Sequence, residues 1–599
     1  MMRFVLTLFL LSVLSLTLDA RDQTTQWAVQ IAPGVDPTQT ASQLGLRNLG
    51  PIGSLSGYYL FAGPTTIRTE SVRAMRGVLS AQPQQPLRRA PRTVPISDPL
   101  FPQQWHLRNT GQNGGVIGAD ANVMPAWTLG FTGAGVTVAS VDDGLWMIHP
   151  DLAGNVNPAL SYDYAYNDPD PSAGWHGTSV SGVMAADNDG GQCGVGVAYD
   201  AQIAGLRIYD NQTETTDASE GGGLSHQPQA IAVYNNSWGP FDDGFTLEGP
   251  GPLAAQALQQ GATTGRNGLG SIYVWAAGNG GPDDNINADG YANSIYTIAV
   301  GATTNFGVAS PYSEPGAPML VNAPSSGGSL NIVTTAGFTS GCTNFFGGTS
   351  SAAPVVAGTA ALMLQANPNL SYRDVAHLLM RTAFKNDPSH PDWANNGAGY
   401  PVNHQYGFGR VNAGAAVSAA QTWLSVPPMI DHTALITAVG TSFTNGTPAR
   451  NRITLPANFR VERVVAIVNI THPQRAELEI NLTSPSGTHS RLLYGRRLDD
   501  TPNLIDWPLT SVRHWGESSA GEWRLSVFDV NNNANSGTLN SWQLIVYGTP
   551  YLQVPTGVSL AAPSATTLAL QWQDNNPGPT RYRIQRRTET GSWTNLITT

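Results

Sequence analysis

Three short motifs carry residue types that in combination hydrolyse acyl bonds. "VASVDDG" sets Asp142 at the end of an apolar run, "WHGTSVSG" sets His176 ahead of a helical stretch, and "GGTSSAAP" sets Ser350 where a helix begins. Singly each is ordinary: Asp-Gly makes turns, a lone His is more often structural, and Ser commonly starts helices. Together they supply a nucleophile, a general base and a carboxylate that fixes the tautomer of the base. "VWAAGNGG" adds Asn279, whose side-chain amide can donate to the oxyanion that develops during attack. A serine at a helix start also gains from free N–H groups and the helix dipole. Pro354 is expected in the first turn of that helix, where its missing N–H costs little.

Positioning these groups requires a rigid frame. From about Thr93 to Trp423 short apolar runs such as "VTVASV", "IAGLRI", "IAVYNNSW", "SIYVWAAGN" and "IYTIAVGAT" alternate with helical stretches. Strand–helix alternation predicts an α/β fold, a parallel sheet flanked by helices, with chemistry at the carboxyl ends of its strands. Pro427 and Pro428 mark a linker. Residues 424–549 then read as short strands and turns, an all-β sandwich or jelly roll. Residues 553–599 begin another β module. It resembles a fibronectin type III start, with fewer than half of the roughly 100 residues such a sandwich needs.

The 599-residue chain is 41% hydrophobic and only 12% charged, so it can bury real cores. Its net charge of −11, with Lys385 the only lysine, gives no footprint for nucleic acid or anionic membrane. Residues 1–20 read as a secretory signal: Arg3, an apolar stretch from Phe4 to Leu18, and a small residue at Ala20. The apolar run is about 15 residues, short of the ~20 that span a bilayer. A secreted, extracellular or periplasmic location is therefore expected, with no membrane partner. In such a compartment Cys193 and Cys342, the only two cysteines, can form one bridge; two unpaired buried thiols are the alternative. Residues 21–92 carry eight arginines against Asp22, Asp36 and Glu70, a net +5. Since residues 1–20 are neutral, the remainder carries −16.

The motifs "FPQQWHL", "DDGLWMIHPDLAGN", "HGTSVSG", "CGVGVAY", "NSWGPFDDGFTLEGP", "GLGSIYVWAAGNGG", "DGYANSIYT" and "GTSSAAP" resemble subtilisin-fold serine proteases of the kexin and furin-like proprotein convertase family. The chain order Asp, His, Ser is that of subtilisin. "LTSPSGT", "SSAGEWRLSVFD" and "LIVYGT" resemble the P domain that follows the convertase catalytic domain. The resemblance implies Asp142, His176 and Ser350 as the triad and Asn279 as the oxyanion donor. It implies that Asp242 and Asp289 take the Arg or Lys before the scissile bond, that Asp143 faces the next residue back, and that Glu220, Glu248 and Tyr291 face the fourth. The segment around Trp238 would pair with the substrate backbone. Just before His176 the family usually carries acidic or amide residues, where this chain has Ala173, Gly174 and Trp175, so a relaxed dibasic preference is expected.

The resemblance also implies two or more calcium ions. One would be held by Asp98, Asp151 and, in a loop where Gly190 stands at a ligand position, Asp189; another by Asp242, Asp284 and Glu314. Cys193 and Cys342 match a family bridge, and a second family bridge would fall at Ile286 and Gly316. The basic leader resembles the convertase propeptide, released after Arg92 or after Arg89, and is expected to inhibit by docking in the acidic cleft. These features predict a monomeric calcium-dependent endoprotease made as a zymogen and acting on polypeptides. One rival is a subtilisin-like protease of broad specificity. Another is an adhesive protein with a vestigial catalytic domain, against which the complete set of four catalytic residues speaks.

Overall fold

The computed structural model describes residues 24–64, 66–84, 96–172, 174–210, 212–337, 341–436, 438–564, 567–575, 583–586 and 594–598. The signal segment and both candidate leader cut sites, at Arg89 and Arg92, lie outside these residues, as does Ala173. The chain divides into two compact units, 1–92 and 93–599. In the first, an antiparallel sheet runs in the order Arg47–Pro51, Tyr58–Pro64, Thr24–Ile31, Val78–Gln84. Trp27, Val29, Ile31 and Phe61 alternate inward with Val72 of the helix Thr69–Arg73, which gives this small unit its own core.

The second unit is built around a seven-stranded, wholly parallel sheet. Its order is Met319–Pro324, Thr297–Thr303, Ile272–Ala276, Val233–Asn236, Thr137–Asp142, Gln202–Arg207, Tyr162–Asp163. The strands Thr137–Asp142, Ile272–Ala276 and Thr297–Thr303 are buried along their whole length, as expected where helices cover both faces. After Gln202–Arg207 the chain crosses over Thr137–Asp142 to build the other half of the sheet, so Asp142 ends the strand where the winding reverses. That is where an open α/β sheet leaves a crevice.

The helix Thr349–Ala366 is almost entirely buried and packs against five strands of this sheet and against the helix Trp175–Ala185. Pro354 is its sixth residue, not part of its first turn. The Ser350 carbonyl, which an N–H at position 354 would have engaged, instead accepts from Ser237 Oγ (3.0 Å). A side chain from a neighbouring segment thus repairs the gap that proline leaves in the ladder.

Beyond Pro428 two antiparallel sheets face each other. One holds Ile430–Ile436, Ser536–Thr549, Arg460–Thr471 and Leu504–Ser511, with Thr441–Thr444 pairing alongside; the other holds Ala449–Leu455, Gly521–Asp529, Leu478–Thr483 and His489–Leu493. Trp523 and Trp542 fill the space between them with Leu525, Leu544 and Val464. The expected β sandwich is observed. The last described strands form two hairpins, Thr556–Ser564 with Thr567–Gln573 and Arg583–Arg586 with Thr594–Thr598.

The sandwich grips the α/β domain by polar contacts. Glu462 is buried against Arg373 Nη2 (2.6 Å) and His377 Nε2 (3.0 Å), and Arg463 donates to the carbonyls of Ser294 and Thr297. Trp507 Nε1 donates to the Asn287 carbonyl (2.7 Å), Thr510 N to Asn293 Oδ1 (2.8 Å), and Asn287 Nδ2 to the Thr510 carbonyl (3.1 Å).

Candidate active site

Asp142 is completely buried, and its Oδ1 accepts from His176 Nδ1 (2.8 Å), the Asp143 N–H (2.8 Å) and the Tyr209 hydroxyl (3.2 Å). A carboxylate held this way fixes the imidazole with its proton on Nδ1 and leaves Nε2 free to accept. Burial lowers the His176 pKa, but the charge and hydrogen bond of Asp142 outweigh burial and raise it above the ordinary value. Asp143 places the same histidine from the other side. Its carboxylate accepts from the backbone N–H groups of His176 (3.0 Å) and Gly177 (2.7 Å), capping the helix Trp175–Ala185. Gly177 is obligatory there, since a Cβ would lie 2.2 Å from the Gly144 carbonyl oxygen and 2.9 Å from Asp142 Cβ.

Ser350 stands in the first turn of the buried helix, and its hydroxyl donates to the Ser237 carbonyl (3.3 Å). Phe346, four residues earlier, sets its ring edge-on to His176 at 5.5 Å. Asn279 follows the strand Ile272–Ala276. Its Oδ1 accepts from the Thr349 N–H (2.7 Å) and hydroxyl (3.1 Å), which fixes the amide so that Nδ2 is the donor left over. Gly348 has φ +72°, and a Cβ there would meet Asn279 Oδ1 at 3.1 Å, so glycine allows both the turn and the approach.

Nδ2 of Asn279 and its backbone N–H both reach Asp242 Oδ2, at 3.3 and 2.8 Å. A contiguous path therefore runs from Asp242 through Asn279 and Thr349 to Ser350. Asp242, Asp284, Asp289 and Glu314 line one small pocket together with Pro240. Asp289 is held by the N–H groups of Tyr291 (2.7 Å) and Ala292 (3.2 Å), and burial pushes its pKa up to about 8. The turn Ile286–Ala288 that presents it is the segment held by Trp507 and Thr510 of the sandwich.

Further along the cleft Trp238 stacks edge-on with Trp275 (4.7 Å) and Tyr291 (5.1 Å). Tyr291 donates to the buried Glu220 (2.6 Å). Glu248 pairs through its backbone with Asp289, and its charge adds to the burial that raises the Glu220 pKa. Contact by contact, Glu220, Trp238, Tyr291, Glu248, Asp289 and Asp242 are thus brought together, while Asp143 lies beside His176.

Asp98, Asp151 and Asp189 also converge, with one oxygen from each within 4.8 Å of the others. Asp98 is buried with both oxygens unpartnered. Burial and the Asp151 charge push its pKa up to about 6; burial and Asp189 push that of Asp187, which sequence reading missed, up to about 7. Crowded oxygens without a counter-charge fit a hard cation. Glu314 is buried, and Asp284 and Asp242 push its pKa further up. There, however, an arginine intrudes. Arg496 of the sandwich forms an ion pair with Asp284 Oδ1 while Asp284 Oδ2 accepts from the Gly244 N–H (3.0 Å). Sequence offers no local signal for Arg496, which lies 212 residues from its partner.

Cys193 and Cys342 form a disulfide. The positions of the second family bridge also face each other: a Cβ at Gly316 would lie 2.8 Å from Ile286 Cβ, so the pair is adjacent and both cysteines are replaced.

The Subtilase family profile matches residues 133–409, the Proprotein convertase P-domain profile 461–546 and the Peptidase S8 pro-domain profile 26–92. Furin of Mus musculus is 40% identical over 579 residues, which cover 92% of this chain and 71% of that protein. Neuroendocrine convertase 2 of Drosophila melanogaster is 37% identical, with 88% and 89% covered. The serine protease of Aeromonas sobria, crystallised with the chaperone ORF2, superposes with a TM-score of 0.71 at 27% identity over 77% of this chain and 96% of that one. With catalytic domain, P domain and pro-domain all matched and most of mouse furin spanned, the chain belongs to the furin-like proprotein convertases, a family of subtilisin-like serine proteases.

Proposed function

We propose that this protease is secreted, depends on calcium, and cleaves after Arg or Lys with a relaxed preference for basic residues upstream. The observation that carries the specificity is the acidic pocket of Asp242, Asp284, Asp289 and Glu314 joined to Ser350 through Asn279 and Thr349. A carboxylate whose pKa is raised by burial, as that of Asp289 is, gains most from a cationic partner. Leaving such a buried acid without that partner costs roughly 3–5 kcal/mol, about two to four decades in relative rate. Neutral side chains are therefore rejected. Because Asp143 spends its carboxylate on two backbone N–H groups, the second subsite is the weaker discriminator.

In the reaction the Ser350 hydroxyl turns from the Ser237 carbonyl, gives its proton to His176 Nε2 and attacks the carbonyl carbon before the scissile bond. Asn279 Nδ2 donates to the tetrahedral oxyanion. His176 then protonates the leaving amine, and water hydrolyses the acyl-enzyme by the same route. Asp98, Asp151 and Asp189, with Asp187 beside them, would hold a calcium ion, which neutralises their charge and stiffens the loops that carry them. Residues 1–20 serve as signal and 21–92 as inhibitory leader; 93–423 and 424–549 form the catalytic and P domains.

The deciding experiment compares kcat/KM on fluorogenic peptides ending in Arg and in Leu. An advantage of 10² or more for Arg, lost in Asp289→Asn, is expected; equal rates would leave only a protease of broad specificity. In parallel, Ser350→Ala should keep its leader uncut.

A further inference from the structure

At one end of the P-domain sandwich, three loops bring together groups that no part of the proteolytic reaction uses. His472 follows the strand Arg460–Thr471, Glu477 ends the turn Arg475–Glu477, and Asp529 closes the strand Gly521–Asp529. All three are buried, with 1%, 2% and 4% of their surface exposed. His472 Nε2 lies 3.5 Å from Asp529 Oδ2 and 3.8 Å from Glu477 Oε2. Neither Nε2 nor Asp529 Oδ2 has a hydrogen-bond partner.

The other ring nitrogen bears on what Nε2 carries. Nδ1 lies 2.7 Å from the Gln474 carbonyl oxygen, which can only accept, and 3.2 Å from the Gln474 N–H, which can only donate; the shorter contact to the carbonyl favours the proton on Nδ1. Nε2 then presents a lone pair to two carboxylates in a water-poor site. An imidazolium facing them would contract to about 2.7–2.9 Å. The spacing found is instead close to the ~3.4 Å between ligands bonded at about 2.0–2.1 Å to one tetrahedral ion. A histidine whose Nδ1–H is spent on a backbone carbonyl is also how metal-binding imidazoles are oriented. Phe443 stacks parallel on the ring at 5.6 Å and holds its plane.

We propose that His472 Nε2, Glu477 and Asp529 bind a divalent metal ion of the zinc class. Two carboxylates balance the charge of the ion, and the neutral imidazole favours it over a hard, all-oxygen cation. The side-chain amides of Asn531 (2.9 Å), Asn533 (2.5 Å) and Asn535 (2.9 Å) all donate to Glu477 and orient it. The ion ties the end of one sheet to the end of the other, locking the loop 530–535 against the turn Arg475–Glu477.

The test uses the full chain carrying Ser350→Ala to prevent self-digestion, stripped of metal and supplied with excess calcium to fill oxygen sites. Zinc chloride is added, unbound ion removed by gel filtration, and zinc counted by mass spectrometry. The parent should hold one more zinc per chain than either His472→Ala or the isosteric Asp529→Asn, and only the parent should gain several degrees in Tm. Cobalt(II) in place of zinc should give visible absorption that the two variants lose. Equal zinc in all three proteins overturns the proposal, as does a calcium-only rise in Tm indifferent to His472. A parent that takes up no zinc also overturns it, and then His472 is a buried histidine only.

Discussion

Two acidic clusters in this molecule are treated oppositely. Around Asp98, Asp151, Asp187 and Asp189 the carboxylates repel one another and Asp98 keeps both oxygens unpartnered. Around Asp242, Asp284 and Glu314 the P domain supplies Arg496, itself buried and shared between Asp284 and Asp499. The first arrangement has no arginine counter-charge among the described residues; the second takes its counter-charge from another part of the same chain. Glu462 extends the series, since Arg373 and His377 together hold its pKa down at about 2 despite burial.

Arg496→Ala is the sharpest way to break this contrast. Removing one partner of a buried pair costs roughly 3–5 kcal/mol, read by urea unfolding in chelator. Added calcium should restore part of the loss, because the freed carboxylates then resemble the first cluster. A loss below about 1 kcal/mol would show that Arg496 is dispensable.

The Glu462 pair makes a pH prediction. Its folded pKa lies below the ordinary 4.5, so its contribution is present above pH 4.5 and disappears as pH falls through about 2. Roughly 2–4 kcal/mol should be lost across that window. Glu462→Gln should lose stability at neutral pH and show a flatter acid limb; an unchanged limb would remove Glu462 from the interface energetics.

Of these two acidic clusters, chelation addresses the first. Calcium at 100 times its Kd stabilises by about 2.7 kcal/mol, and EDTA should remove that increment, lowering Tm. Asp98→Asn should abolish most of the calcium dependence, and Arg496→Ala should enlarge it. The smallest effect is expected next door at Arg497, which pairs with Asp283 in the open (71% and 38% exposed). Arg497→Ala should change stability by under 1 kcal/mol, measured in the same titration.

The candidate catalytic groups could be picked out because each lies inside a short motif whose local geometry is self-contained: Asp142 at a strand end, Ser350 behind a glycine with positive φ, Asn279 after a strand. The parallel sheet and the β sandwich were legible from periodicity. What sequence did not offer were contacts made between segments far apart along the chain. Tyr209 on Asp142, Thr349 on Asn279, Trp507 on the turn before Asp289 and Arg496 on Asp284 all depend on folds meeting, not on spacing. Pro354 shows the same limit. Its residue type places it near a helix start, but Ser237 from another segment is what lets it sit deeper.

The covalent link between Cys193 and Cys342 encloses 148 intervening residues, among them the exposed tip at Phe241 and the proposed oxyanion donor Asn279. A protease that nicks itself once inside that ring produces two fragments that cannot drift apart. Such a molecule would migrate as a single band until a thiol reagent is added, so damage at the rim of the cleft stays invisible to non-reducing electrophoresis.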